Sequence, residues 1–377
     1  MNVLYIISAT FMGGATISFL TMLKGIRKKG FVPFVVIPDG RREFIDVLER
    51  LNITYFIVPL AYSSYDRIRS LRDFLAFPKR MAKRMRTIMR AESAINKIIK
   101  EKKIDIVHTN VGPLRVGFNC AQKLQIPHVW HIREYGDLDF QIYEFPSKKY
   151  FQSLLKKSYV ITITKDLLKY NRLQQYNKAK VIYNGVMSEA DAFFDSIKEN
   201  YFLCASRVSP EKGHHNVIRA FGEFCKVNNS YRLKILGDGP NNYIRQLKQL
   251  SVECGCSDKI DFLGFKNDVK PFMKKAKALI VASPNEGFGR MTAEALFCGC
   301  LVVGMNAAGT KEILDETGGL MFSNNSELLS ALLKVDGLTE QQYATIVLSA
   351  QDVAKGLYSN ESYVENVYCM YKEILNR

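Results

Sequence analysis

Two glutamates separated by seven residues, Glu286 and Glu294, flank the turn Gly287-Phe288-Gly289. A carboxylate only accepts hydrogen bonds, which suits the vicinal hydroxyls of a sugar. A glycine-rich turn lets backbone approach a ligand closely, and a helix opening at Arg290-Met291-Thr292 offers unpaired N–H groups and a positive dipole end to an anion. Sugar hydroxyls on either side of a phosphate bridge describe a nucleotide sugar. The plainer reading makes Glu294 an ordinary first-turn glutamate and Glu286 a solvated loop residue. Arg207 and Lys212 form a second constellation: a planar fork and a compact point charge, both apt for phosphate oxygens. Without a metal, two such cations are the natural counter-charge of a leaving diphosphate. The third set is His108, Asn110, His131, Arg133 and Glu134, at the polar ends of two apolar runs.

The elements that must position these residues alternate strand and helix. Leu279–Asn306 reads as a buried strand, a loop broken at Ser283-Pro284-Asn285, and a helix. Apolar runs at Val3–Ser8, Phe31–Pro38, Ile53–Pro59, Ile104–Asn110, Pro127–Glu134, Tyr159–Thr164 and Lys180–Tyr183 predict one α/β domain. Further runs at Tyr201–Ser206, Leu233–Leu236, Ile260–Phe265, Leu301–Met305 and Gly319–Phe322 predict a second. In parallel sheets ligands gather beyond the carboxyl ends of strands, where the third set lies. The turn at Gly13-Gly14 is neither a dinucleotide fingerprint nor a Walker A loop. A chain of 377 residues suits two cores.

Charge separates the halves. Residues 1–189 carry 32 Lys and Arg against 15 Asp and Glu, while residues 190–377 carry 21 against 22, so the whole basic excess lies in the first half. Such a surface faces a polyanion or an anionic membrane. Between Asp66 and Lys103 there are 13 basic and four acidic residues, with apolar positions 81, 85, 88 and 89 at helical spacing and Lys83, Arg84, Arg86 and Arg90 off that stripe. Either a membrane-surface helix or a helix packed on its own domain with a solvated basic face fits. No basic–aromatic RNA-binding signature or zinc finger accompanies the charge, so nucleic acid is not expected as a partner. No apolar run approaches the ~18 residues of a membrane span. The opening residues read as a first strand rather than a secretory signal, which predicts a cytoplasmic protein, peripheral to the inner face of the plasma membrane if the basic half binds lipid. The eight cysteines contain no C-x-x-C pair and read as buried thiols.

The string Glu286-Gly287-Phe288-Gly289, with Glu294-Ala295 beyond it and Cys298-Gly299 before an apolar strand, resembles the E-x7-E motif of retaining GT-B glycosyltransferases of family 4. Ser206-Arg207 with Glu211-Lys212-Gly213 resembles that family's phosphate-binding pair, and Asn184-Gly185-Val186 its domain junction. The resemblance implies two Rossmann-like domains with parallel sheets facing across a cleft. Residues 1–187 would bind acceptor, 188–200 form a hinge, 201–357 bind the nucleotide sugar, and 358–377 pack back on the first domain. Glu294 would hold the ribose diol, with Glu286 and the backbone of Gly287–Gly289 orienting the sugar. Arg207, Lys212 and the helix start at Arg290, Met291 and Thr292 would face the diphosphate. Gly13, Gly14 and Gly237 would add donor contacts, and Leu263 would lie near the nucleobase. His131 would sit by the donor sugar, the alternative being a core histidine satisfied by backbone. Arg133, Glu134 and Asn110 would lie on the acceptor side.

The implied catalytic set is Glu286, His131, Arg207 and Lys212, with no cofactor and no metal. Asp137-Leu138-Asp139 is a D-x-D of the kind that holds a metal in the unrelated GT-A fold, but its place in the first half makes it a solvated or acceptor-side loop. The implied reaction moves a hexose from a nucleoside diphosphate sugar, a UDP-sugar being favoured, to a hydroxyl of a saccharide or lipid-linked saccharide in cell-surface polysaccharide synthesis. The alternatives are a sugar-nucleotide epimerase of the same architecture and, outside enzymes, a basic polyanion-binding protein.

Overall fold

The computed structural model describes residues 1–8 and 10–376, with the backbone alone described at Asp139. The chain divides into two compact units, Met1–Gly185 with Tyr363–Arg377, and Val186–Ser362. The strands of the first are β1 Asn2–Ile6, β2 Val32–Ile37, β3 Thr54–Ile57, β4 Ser64–Asp66, β5 Ile106–Thr109, β6 His128–Ile132, β7 Ile142–Glu144, β8 Tyr159–Thr162 and β9 Ala179–Val181. Seven of them form a parallel sheet in the order β3-β2-β1-β5-β6-β8-β9, while β4 and β7 make a small antiparallel pair. The pattern of apolar runs did not announce that pair, because Ser64–Asp66 and Ile142–Glu144 are short and only partly buried.

Helices cover both faces of the seven-stranded sheet, which is why Val3, Leu4, Tyr5 and Ile6 are all apolar or aromatic and all buried. One face packs against Phe19, Met22, Leu23 and Ile26 of helix Gly14–Lys28, and against Tyr363, Val367, Met370 and Tyr371 of the closing helix Asn360–Leu375. The other face packs against Ala91, Ile95, Ile98 and Ile99 of the long helix Leu71–Glu101. That helix divides the apolar set expected to form one stripe. Met81 and Ile88 are buried, whereas Met85 and Met89 lie on a different, exposed side. The carboxyl ends of β1 and β5, where the strand order reverses, open a crevice of the kind in which α/β sheets bind ligands.

The second unit holds β10 Glu199–Ala205, β11 Arg232–Leu236, β12 Ile260–Gly264, β13 Ala276–Val281, β14 Leu301–Met305 and β15 Leu320–Phe322, all parallel, in the order β12-β11-β10-β13-β14-β15. Its core runs from Phe202, Phe221 and Phe224 through Leu233 and Val303 to Leu328 and Leu332. The order reverses between β10 and β13, which brings together the loops that follow those two strands.

Residues 188–200, expected as a patternless hinge, are held within this unit. Ser188 Oγ donates to Glu361 Oε1 at 2.5 Å, and the Phe193 N–H donates to the Phe297 carbonyl at 2.8 Å. The Val186 N–H likewise donates to the Tyr358 carbonyl. The cysteines are free, with Cys204, Cys256, Cys298 and Cys300 buried.

Candidate active site

Lys212 and Glu286 meet at the reversal point of the second sheet. Lys212 ends a single 3-10 turn, Pro210–Lys212, after β10, and Gly213 follows at φ +71°. A Cβ at Gly213 would collide with the Ala282 carbonyl, so only glycine lets this loop lie against the end of β13. The result is an ion pair of 2.5 Å between Lys212 Nζ and Glu286 Oε1, each side chain about one-fifth exposed (20% and 22%).

The loop carrying Glu286 is fixed from two sides. Phe288 buries its ring edge-on against Tyr358, and the Gly309 N–H donates to the Glu286 carbonyl at 2.9 Å. A Cβ on Gly309 would strike the carbonyls of Phe288 and Glu286. Gly289, at φ +84°, then caps the helix Arg290–Phe297.

Lys212 and Glu286 line a notch of about 30 Å³ with Ser206, Ser283, Gly289, Met291 and Thr292, room for one water-sized group. Thr292 Oγ1 is buried there without a hydrogen-bond partner among the described residues, as is the nearby Thr310 hydroxyl. Glu294 sits one turn into the helix, its side chain 12% exposed, with Oε1 2.7 Å from Arg290 Nε. Arg290 also donates to the Val186 carbonyl at 3.1 Å. Burial raises the Glu294 carboxyl above its ordinary range, opposed in part by Arg290.

Three expected donor residues stand apart from the notch. Arg207 is largely exposed and pairs with Glu211 at 2.9 Å. Gly237 has a backbone reason for its identity, because at φ +132° a Cβ would strike the Ser206 carbonyl. Leu263 lies on the edge strand β12, in a separate surface hollow with Lys248 and Phe262.

The first unit has its own cavity, of about 370 Å³, at the carboxyl ends of β1, β5 and β6. Gly13, Gly14, Phe11, Asn110, Arg133 and Glu134 contribute to its walls. Gly13 and Gly14 open the helix Gly14–Lys28, whose first turn carries no acid. Arg133 is 7% exposed and fully engaged. It donates to Asn110 Oδ1 at 3.0 Å, Asn184 Oδ1 at 2.6 Å and the Tyr363 hydroxyl at 2.9 Å. Among the described residues it makes no ion pair, so three neutral oxygens carry its charge. Asn184 and Tyr363 were not expected at this site. They lie about 50 and 230 residues away along the chain, and only the fold returns them.

His131 does not line that cavity. It is completely buried, with Nδ1 3.3 Å from His108 Nε2 and 3.5 Å from an Arg133 nitrogen. His108 Nδ1 in turn lies 2.6 Å from the Tyr371 hydroxyl. Burial first, and the Arg133 charge second, hold both imidazoles well below the ordinary histidine range, so they are neutral. If Tyr371 donates to His108 and His108 to His131, the proton of His131 is left on Nε2, which has no partner among the described residues. Asp137 is bound by Lys148 at 3.4 Å and by the Tyr170 hydroxyl, and the Asp139 side chain lies outside the described residues.

Two family models cover most of the chain: Glycosyltransferase Family 4 over residues 12–189, and Glycosyl transferases group 1 over residues 189–336. An uncharacterised glycosyltransferase of Methanocaldococcus jannaschii is 27% identical over 286 residues, 74% of this chain and 78% of that one. The O-antigen chain mannosyltransferase RfbU of Salmonella typhimurium is 33% identical over 192 residues, 48% of this chain and about half (52%) of that relative's length. The alpha-monoglucosyldiacylglycerol synthase of Acholeplasma laidlawii is 23% identical over 403 aligned positions, 97% of this chain and 95% of that one. Anabaena HepE, solved in complex with UDP, superposes with a TM-score of 0.79 at 19% identity, covering 99% of this chain and 100% of that one. With two parallel-sheet α/β units and both family models matched, the chain belongs to the GT-B glycosyltransferases of the family 4 and group 1 kind.

Proposed function

We propose that this glycosyltransferase moves a hexose from a nucleoside diphosphate sugar, preferentially a UDP-sugar, to a hydroxyl of a lipid-linked saccharide, with retention of configuration and without a metal. The observation that carries the reading is the Lys212–Glu286 pair beside the start of helix Arg290–Phe297. A diphosphate arriving at the mouth of the notch takes over Lys212 as its counter-charge and frees the Glu286 carboxylate for a sugar hydroxyl. The helix start supplies backbone N–H groups to the same phosphates, and Glu294 accepts from the ribose diol. As the glycosidic bond breaks, negative charge grows on the departing diphosphate, and these fixed positive groups stabilise it there most. Attack on the same face, with a donor phosphate oxygen taking the acceptor proton, needs no protein nucleophile.

That HepE was solved with UDP supports the choice of donor base, and the Acholeplasma relative, by its name a synthase of the glycolipid monoglucosyldiacylglycerol, supports a lipid-borne acceptor. The basic first half fits work at an anionic membrane on the cytoplasmic side, where nucleotide sugars are supplied. The test is calorimetry against UDP, GDP and ADP, followed by donor turnover in EDTA with the anomer of the product read by NMR. UDP binding and metal-free, retained transfer are expected. Isomerised donor in the absence of acceptor would mean an epimerase, and no nucleotide binding at all would remove the reading.

A further inference from the structure

Arg290 opens the helix Arg290–Phe297, and nothing in the helix itself favours a cation there. A positive side chain in the first turn faces the positive end of the dipole, and a cation four residues ahead of a glutamate is the weaker order of an i,i+4 pair. Arg290 is nevertheless held at two points of its guanidinium. Nε lies 2.7 Å from Glu294 Oε1, the two side chains being 22 and 12% exposed, and Nη2 donates to the Val186 carbonyl at 3.1 Å. Val186 is itself fixed, because its N–H donates to the Tyr358 carbonyl at 3.0 Å, and the Tyr358 ring seats Phe288 edge-on. Arg290 therefore ties Glu294 to the same residues that fix the Glu286–Gly289 turn. For stability alone an apolar pair at 290 and 294 would serve about as well, since two charges this deeply buried repay little of their desolvation.

We propose that Arg290 is a positioning residue for the nucleotide: its side chain holds the Glu294 carboxylate in the orientation from which that group accepts from the ribose diol. With Oε1 engaged by Nε, Oε2 and the remaining lone pairs are left for two vicinal hydroxyls, and a planar fork anchored on Val186 limits rotation of the carboxylate. The pair also favours the charged form. Burial raises the Glu294 carboxyl, Arg290 and more weakly Lys270 oppose that rise, and Asp268 adds to it. The neighbouring Cys298 thiol, pushed up by burial to about 11, is neutral. The backbone N–H of residue 290, which the reading above gives to the diphosphate, is untouched by exchange of the side chain. The inference rests on the placement of the ribose at Glu294 proposed above.

The test is calorimetry of the full chain with UDP and with 2′,3′-dideoxy-UDP, which lacks the diol, across a pH series. The wild type should prefer UDP. Arg290→Gln should weaken UDP binding roughly tenfold or more, the scale of one hydrogen bond to a charged group, and weaken the dideoxy analogue little. The fall of UDP affinity on acidification should move to higher pH in that variant, because the burial of Glu294 is then less opposed. Within Glu294→Gln, adding Arg290→Gln should change UDP affinity little. Melting temperatures report folding, and Arg290→Lys, which keeps a charge without the fork, carries the same comparison if Arg290→Gln does not fold. UDP bound as tightly as by the wild type, or more tightly, overturns the inference, the second result making the guanidinium a cover over the carboxylate. An equal loss for both nucleotides also overturns it, being the mark of a contact to the diphosphate or of general damage. No nucleotide binding by the wild type removes the transferase reading itself. UDP bound without preference over the dideoxy analogue removes the ribose from Glu294, whereas a preference kept intact in the variant removes only the part assigned to Arg290.

Discussion

Each unit holds a cation at the carboxyl ends of its strands, but the two are held in opposite ways. Lys212 has a carboxylate partner at 2.5 Å in a notch with room for one water-sized group. Arg133 is more deeply buried, beside a cavity of about 370 Å³, and is held by neutral oxygens from Asn110, Asn184 and Tyr363. A lysine on a flexible stem can exchange one anion for another, whereas a guanidinium with its fork filled is a fixed part of a wall. The difference separates a site that changes partners during a reaction from one that keeps its shape.

The largest expected effect tests the exchange. Glu286→Ala and Lys212→Ala should each lower turnover by roughly 100-fold or more, the scale of losing one stabilising group at a developing charge. A partly exposed pair of this kind is worth about 1 kcal/mol or less in stability, so melting should barely move. Wild-type rates in either variant would break the contrast between the units.

Acid should strike the first unit through its histidines. His108 and His131 are held well below the ordinary range and His128 is lowered to about 3, in each case chiefly by burial. Their folded values lie below the unfolded value of about 6.5, so below that pH the unfolded chain binds more protons than the folded one. The stability they contribute is present above about pH 6.5 and falls progressively as pH drops toward the folded values. Urea midpoints at pH 7 and pH 5 measure this, with proton uptake on unfolding as the expected sign. A midpoint that did not fall would contradict neutral buried imidazoles.

Tyr363→Phe takes one oxygen from Arg133 and leaves a donor unsatisfied, at a cost of about 1–3 kcal/mol in unfolding experiments. UDP affinity should not change, because the site proposed for the nucleotide belongs to the second unit. The Glu294 carboxyl, raised by burial, retains its proton to a higher pH than an ordinary glutamate. UDP affinity should therefore weaken on acidification before solvated carboxylates titrate, and Glu294→Gln should remove that dependence. The smallest effect is expected at Arg207, whose exposed pair with Glu211 makes Arg207→Ala worth well under ~1 kcal/mol in stability. A large loss of UDP affinity in that variant would mean that Arg207 leaves Glu211 for the ligand.

The architecture was largely legible because buried parallel strands read as apolar runs, even where Lys180, Lys234, Asp261 and Lys277 interrupt four of them. The Glu286–Gly289 turn and the following helix were legible for a related reason, since strand, glycine turn and helix are local patterns. Three features were not. The antiparallel pair β4 and β7 is too short and too polar to stand out. The stripe at 81, 85, 88 and 89 had to be split by packing, because helical spacing alone does not say which of two adjacent sides meets the core. His131 was placed on the right strand, but whether its ring faces solvent, ligand or His108 depends on neighbours distant in sequence.

What the sequence by itself determined is the order of the main-sheet elements, the three sets of candidate ligand-binding side chains and the basic excess of the first half, since each follows from local spacing or simple counting. Tertiary structure alone decided that Lys212 meets Glu286, that Arg207 turns to Glu211, and that Asn184 and Tyr363 close the fork of Arg133. Those pairings span 74, 4, 51 and 230 residues, and even the shortest turns on a side-chain direction that spacing leaves open. A hydrogen bond is set within a few tenths of an ångström, a precision that only the packed strands and their glycine-limited turns supply.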